Sequence, residues 1–487
     1  MKKFIIKLLL LFTIITSLET QEIVAKNTST GHLFQNEKSS ELSSDVAWPK
    51  GPKEKSLSAE SAIVMDANTG LILYEKNAHK VHYPASITKI LTTLLAIENC
   101  SLNETVTFTE SEVTGLEYGA SNIGTMIGET LTIEQCLYAI MLSSANEVCL
   151  GVADYIAGDI PSFSDMMNER ALALGCKNTH FSNPNGLHSD DHYTTAYDMA
   201  LISKEALKSD TFRKVTGTKV AYIPKTNKYE PRVLPNHHNM LNTYTTSLYL
   251  YDGCIGGKTG YTSVAQSTLV TFAERDGMTL ICVVMRAASP KTNTTCNQYT
   301  DTAALLNFGF ENYQVHNLSS STIETDYTES PLFTKFNSIF DVAHSPLQTS
   351  TNGQIILPVG VDASKAIQEV TFYENQNEDN GEYEIGNVSY SYGNKFVGST
   401  NIYFNTEVSQ NTLTSSADIE YTSSTVISKK GRNSATIIRR ITIVVCVLFV
   451  VLFIIFYMKL LEKRRKISRR RYYSNMNKKN KKKDLHF

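Results

Sequence analysis

Ser86-Ile87-Thr88-Lys89 places a hydroxyl and an amine three residues apart. On a helix those two positions share a face, so the amine can approach the hydroxyl. A serine becomes a useful nucleophile only when a base takes its proton, and a lysine kept neutral by partial desolvation can do that. A helix N-terminus at this point would also favour a developing oxyanion. Ser144-Ala145-Asn146 follows 58 residues later, directly after the apolar Ile140-Met141-Leu142. Polar residues entering from an apolar run need partners, as the wall of a cleft supplies. Another 114 residues on, Lys258-Thr259-Gly260 follows the glycine pair Gly256-Gly257. Glycines let a backbone approach a ligand closely, while a cation and a hydroxyl suit a carboxylate. None of the three is diagnostic alone. Ser101-Leu102-Asn103 repeats the second spacing, and Lys225-Thr226-Asn227 and Lys291-Thr292-Asn293 resemble the third. No His/Cys/Asp/Glu group has metal-ligand spacing (His188 and His192 bracket acids in a loop-like stretch), so neither a metal nor another cofactor is expected.

The elements around these residues are legible. Ala62–Asp66 and Leu71–Tyr74 read as strands joined by a turn at Asn68-Thr69-Gly70. Ile87, Ile90, Leu91, Leu94 and Leu95 have helical spacing, so Ser86 is expected to open a helix. Thr132 and Gln135 have capping-box spacing for a second helix ending near Leu142, and a third covers Glu147–Ile156. Ser144 and Asn146 then fall at the break between the two. Ser267–Phe272 and Thr279–Met285 form a strand pair around Asp276-Gly277, followed by a short helix over Thr302–Asn307. Helices between an early and a late strand pair predict an α+β fold whose first and last strands meet in one antiparallel sheet. After Tyr313 the texture becomes that of a small all-β domain, with turns at Asn352-Gly353 and Tyr392-Gly393-Asn394.

The chain has 487 residues, 42% hydrophobic and 19% charged, enough for a large core and several domains. Its net charge of −2 conceals segregation. The last 29 residues hold 13 of the 46 basic residues and two of the 48 acids, leaving a body of net −13. An acidic body argues against nucleic acid as a partner. Met1-Lys2-Lys3 with Lys7, then an uncharged Leu8–Leu18, has the pattern of a signal peptide, with Ala25 as an expected cleavage point. Ile441–Met458 is uncharged and dense in Val, Ile, Leu and Phe, and the basic cluster follows it. That asymmetry predicts a membrane span with the tail cytoplasmic and the body outside. The expected organisation is a signal peptide (1–25), a leader (26–55), a catalytic domain (56–313), a β domain (314–405), a Ser/Thr-rich stalk (406–440), a span (441–461) and a basic tail (462–487). Eight dispersed cysteines without CxxC predict mostly small buried hydrophobes rather than a disulfide framework.

Order and separation make the three motifs strong together. With Tyr83-Pro84-Ala85, Phe181-Ser182-Asn183-Pro184-Asn185-Gly186-Leu187 and Tyr193-Thr194-Thr195-Ala196, the chain closely resembles the D-alanyl-D-alanine carboxypeptidases, low-molecular-mass penicillin-binding proteins. The likeness is strong over roughly 55–313 and weak beyond. It implies a β-lactamase/DD-peptidase-like catalytic domain that removes the terminal D-alanine from peptidoglycan stem peptides and is acylated by β-lactams. In that reading Ser86 is the nucleophile, Lys89 the general base and Ser144 the proton relay. Asn146 would hold substrate and Lys89, Lys258 would supply positive potential, and Thr259 would bind the terminal carboxylate beside Gly260. The oxyanion hole would use backbone N–H groups of Ser86 and Tyr261; relatives often carry histidine at the latter position. Arg286 is available for carboxylate binding but unassigned. Relatives commonly attach by an amphipathic helix, whereas Ile441–Met458 reads as a true span. A membrane-anchored β-lactamase and a silent peptidoglycan-binding scaffold are the rival readings.

Overall fold

The structure is a computed structural model that describes residues 48–114, 116–117, 119–288, 296–318, 347–350, 352–379 and 382–405. The expected signal peptide, most of the leader, the stalk, the span and the basic tail lie outside those residues. Among the described residues no helix is long and apolar enough to cross a membrane.

The central sheet has five antiparallel strands. β1 (Ala59–Asp66) and β2 (Ile72–Lys76) come from the start of the described chain. β7 (Cys254–Thr262), β8 (Gln266–Arg275) and β9 (Met278–Ala287) come from much later. The order is β2-β1-β9-β8-β7, so the first strand does pair with the last of this group, in the register Val64↔Cys282. The turn after β1 forms because the Asp66 carboxylate accepts from the Thr69 N–H at 2.7 Å while Gly70 takes φ +81°. In β9 alternate residues face opposite ways. Ile281, Val283 and Met285 belong to the helical core, and Leu280, Cys282 and Val284 to the core on the other face. A strand buried on both faces reads as the continuous apolar run seen here rather than as an alternation.

The first core is built by α1 (Lys89–Asn99), α3 (Ile133–Leu142), α4 (Asn146–Ala157), α5 (Ile160–Ala173), α6 (Ala196–Ala206) and α7 (Asp210–Gly217), with a single turn α2 at Glu110–Val113. α3 begins as expected: the Thr132 hydroxyl accepts from Gln135 N–H at 3.2 Å, and the Gln135 carbonyl accepts from Thr132 N–H at 2.8 Å. Two small hairpins flank the helices, β3 (Thr105–Thr107) with β4 (Thr130–Thr132) and β5 (Val220–Ile223) with β6 (Arg232–Pro235).

The opposite face is covered by α8, which runs over Asn297–Asn312 and is much longer than the short helix expected. Its first turn is polar (Asn297, Gln298) and lacks the apolar spacing from which the start was read. α8 passes directly into β10 (Tyr313–Asn317). That strand joins β11 (Leu347–Thr349), β12 (Gln354–Pro358), β13 (Ile367–Asp379), β14 (Glu382–Tyr392) and β15 (Lys395–Asn405) in a six-stranded sheet with the path β10-β12-β15-β14-β13 and β11 beside β15. The β14–β15 hairpin turns at Gly393 and Asn394, both at positive φ, as a two-residue hairpin demands. The six-stranded sheet's core residues Ile355, Ile356, Leu357, Val388 and Val397 are continuous with those under α8. Trp48 packs against Tyr313 and Tyr392 at the same junction.

Candidate active site

Ser86 does not open α1 itself. It sits in a 3₁₀ turn, Ala85–Thr88, from which α1 starts at Lys89. The turn is forced by its surroundings. Ala85 takes φ +52°, a left-handed conformation costing a non-glycine residue roughly 1–2 kcal/mol. Pro84 O accepts from the Thr268 hydroxyl at 2.8 Å and Ala85 O from the Thr88 hydroxyl at 2.9 Å. Gly186, at φ +83°, lies so close that a Cβ there would be 1.9 Å from Ala85 O. Strain held in place by neighbours on three sides is typical of a functional turn.

Lys89 is fully buried, and its amine has three neighbours: Ser86 Oγ at 3.0 Å, Asn146 Oδ1 at 2.8 Å and Asn185 O at 2.5 Å. The Asn146 amide is oriented by its other end, since Nδ2 donates to Ser121 O at 2.9 Å. Both Asn146 Oδ1 and Asn185 O can only accept, so each takes an N–H of the amine. In the neutral amine the remaining position, the lone pair, then faces the Ser86 hydroxyl. Burial pushes Lys89 down to about 8, the nearby Cys149 and Glu147 opposing that shift only in part. The geometry thus gives a proton acceptor aimed at a hydroxyl, at an affinity suited to neutral pH.

Asn185 is a site residue that motif reasoning passed over, although its segment was noticed. Its backbone carbonyl, not its side chain, is used. The loop is built locally: Asn183 Oδ1 accepts from Gly186 N–H at 2.7 Å, Asn185 Oδ1 accepts from Leu187 N–H at 3.0 Å, and the Thr92 hydroxyl on α1 donates to Pro184 O at 2.6 Å. An Asn-Pro-Asn-Gly run was the available signal.

Ser144 lies on the connection between α3 and α4 and Asn146 opens α4, both buried, and Ser144 takes φ +59°. Lys258-Thr259-Gly260-Tyr261 is not the approach to a strand but part of β7, the edge of the sheet. A Cβ at Gly260 would lie 3.0 Å from Ser86 N and 2.3 Å from Thr268 Oγ1, so the strand runs against the nucleophile's own N–H and only glycine fits. The Tyr261 side chain points to solvent and Thr259 is half-buried. Lys258 is buried, its ammonium donating to Thr259 O at 2.9 Å. Burial, then repulsion from Lys89, holds it well below the usual lysine range. Arg286 is exposed and pairs with Glu60 at 3.2 Å.

His192 is held in a structural role. His192 accepts from Ser182 N–H through Nδ1 and donates through Nε2 to the Thr88 hydroxyl at 2.8 Å, and burial drives it to about 3. Among the described residues no group of three His, Cys, Asp or Glu could hold a metal ion. Seven free cysteines are described, four of them buried; Cys446 lies outside the described residues.

The family model described as D-alanyl-D-alanine carboxypeptidase matches residues 49–289. The chain is 35% identical over 273 residues to D-alanyl-D-alanine carboxypeptidase DacF of Bacillus subtilis (strain 168), covering 55% of this chain and 66% of that one, just under two thirds of its length. It is 30% identical over 268 residues to D-alanyl-D-alanine carboxypeptidase DacB2 of Mycobacterium tuberculosis, covering 54% of this chain and 84% of that relative. The crystal structure of penicillin binding protein 5 from Haemophilus influenzae shares the fold, with a TM-score of 0.55 at 23% identity over 73% of this chain and 98% of that one. Matched across 84% of the mycobacterial relative and carrying all three motifs in order, the chain belongs to the D-alanyl-D-alanine carboxypeptidase family of serine peptidases.

Proposed function

We propose that the protein is a serine-type D-Ala-D-Ala carboxypeptidase acting on peptidoglycan stem peptides and acylated by penicillins. The observation that carries this reading is the Lys89 amine, buried between two obligate acceptors with its third side 3.0 Å from Ser86 Oγ. Lys89 takes the Ser86 proton as Oγ attacks the penultimate D-alanine carbonyl. The oxyanion is met by the N–H groups of Ser86 and Tyr261, a reading supported by the close approach of Gly260, the residue before Tyr261, to Ser86 N. Ser144 returns a proton to the leaving amine, the C–N bond breaks and D-alanine departs. Water, deprotonated by Lys89, then cleaves the ester. β7 is a sheet edge and can take an extended peptide as an added strand. Thr259 reads the terminal carboxylate there. Lys258 gains its proton when that carboxylate arrives, because an opposite charge in a dry cleft reverses the effect of burial.

The catalytic body works outside the membrane, held by the uncharged run Ile441–Met458 with the basic tail behind it. The test is incubation with a labelled penicillin. A persistent acyl-enzyme that disappears with Ser86→Ala supports the carboxypeptidase, rapid turnover would indicate a β-lactamase, and no covalent label a silent scaffold.

A further inference from the structure

The chain from Gly119 to Glu129 has no helix or strand, yet it determines where Asn146 points. Ser121 O accepts from both the backbone N–H and the Nδ2 of Asn146, each at 2.9 Å, which leaves Oδ1 turned to Lys89. Two buried side chains hold the loop from opposite sides. Glu147 Oε1 accepts from Ile123 N–H at 2.7 Å and the Thr125 hydroxyl at 3.1 Å. From β6, Arg232 donates through Nε to Ile123 O at 3.0 Å and through Nη2 to Gly124 O at 3.2 Å. The same guanidinium forks onto Glu129, at 2.6 Å and 2.8 Å. The pair is almost fully enclosed, with side chains 6% and 0% exposed. Glu129 also accepts from Met126 N–H and the Thr226 hydroxyl, and Asn227 Nδ2 donates to Gly128 O. The Lys225-Thr226-Asn227 look-alike therefore has work of its own, at the far end of this clamp.

A buried ion pair adds little stability over a well-packed apolar replacement. What it can supply is geometry, and an arginine whose rigid fork spans a carboxylate and two loop carbonyls at once specifies position as a lysine cannot. We propose that Arg232, with Glu129 as its counter-charge, is a positioning residue for acylation: it fixes the loop whose Ser121 carbonyl locks Asn146, and so aims Lys89 at Ser86. This rests on the reading of Lys89 as the general base. Charged and titratable groups facing Lys89 are Lys258 from β7, Glu147 and Cys149 from α4, and His192 from the loop before α6.

The test uses two variants of the full chain. Arg232→Met/Glu129→Gln removes both charges together, so neither is left buried alone. Arg232→Lys keeps the charge but cannot reach all four partners. Acylation by labelled penicillin is measured per titrated active site across pH, alongside thermal unfolding. In both variants the plateau acylation rate should fall at least tenfold, kcat for a D-Ala-D-Ala peptide should fall more than KM rises, and the acidic limb should move to lower pH, because a displaced Asn146 carbonyl no longer favours the ammonium. Unchanged per-site rates and an unmoved limb, with only a lower unfolding temperature, would reduce the pair to a structural brace and overturn the inference. A wild type that takes no label would overturn the underlying reading, and the inference with it.

Discussion

At the scale of single residues, the site turns on two buried lysines that cannot both be charged without cost. Lys89 has a pKa of about 8, far below the ordinary lysine value of 10.5. In the proposed mechanism its neutral form is the base, so kcat/KM should rise with pH through about 8 and level off above it; a limb near 6 would point to a histidine instead. Linkage gives the matching sign for stability. Between about 8 and 10.5 the unfolded chain holds a proton that the folded one has released, so burying Lys89 destabilises most below 8, and that penalty shrinks as pH rises. Thr259 allows a second test. A charge-assisted hydrogen bond is worth roughly 1.5–3 kcal/mol, so Thr259→Val should lower kcat/KM about 10- to 150-fold for a D-Ala-D-Ala acid. A C-terminal amide should react slowly with the wild type and lose much less on substitution. Equal losses for acid and amide would show that Thr259 does not read the carboxylate.

Among the elements, the 3₁₀ turn carrying Ser86 is a part with no stability of its own. It is held by β8 through Thr268, by its own Thr88 hydroxyl and by the Asn183–Leu187 loop through Gly186. Gly186→Ala would place a methyl group 1.9 Å from Ala85 O and force a side chain into positive φ. One of the two backbones must move, and misplacing a reacting group by about 1 Å can cost two decades in rate. Gly186→Ala should therefore cut penicillin acylation at least tenfold while leaving a cooperatively unfolding protein. Wild-type acylation in that variant would mean the loop does not define the turn.

For the whole molecule, α8 is the hinge between architecture and site. One face covers the central sheet, and its end becomes β10, so the catalytic sheet and the six-stranded sheet share one continuous core. The proposed catalytic residues all lie on the other face of the central sheet or on its β7 edge, away from that junction. Removing residues 441–487 should consequently release the protein from membranes into the soluble fraction with kcat/KM on a soluble D-Ala-D-Ala peptide within about twofold of the full chain. Sedimentation of the truncated protein with membranes would place the anchor elsewhere.

Ser86, Lys89, Ser144, Asn146, Lys258 and Thr259 could be proposed from the sequence because side-chain type and spacing were themselves the signal; Tyr261, invoked for its backbone N–H, follows only from the family resemblance. The Thr132 cap and the pairing of β1 with β9 were legible for the same local reason: a cap needs two side chains three residues apart, and a strand pair needs an apolar run at each end of the domain. Asn185 was not, because it acts through a backbone carbonyl, a group every residue has. Nor was the Arg232–Glu129 clamp, whose partners stand 103 residues apart in the chain and carry no motif. The state of Lys258 also waited for the fold. A lysine in a motif reads as a cation, and only the fold shows that burial and the neighbouring Lys89 hold its affinity for a proton well below the usual lysine range. Type and spacing specify which groups can react. Which backbone atoms hold them, and which of them are charged, depend on how much water the packed chain excludes.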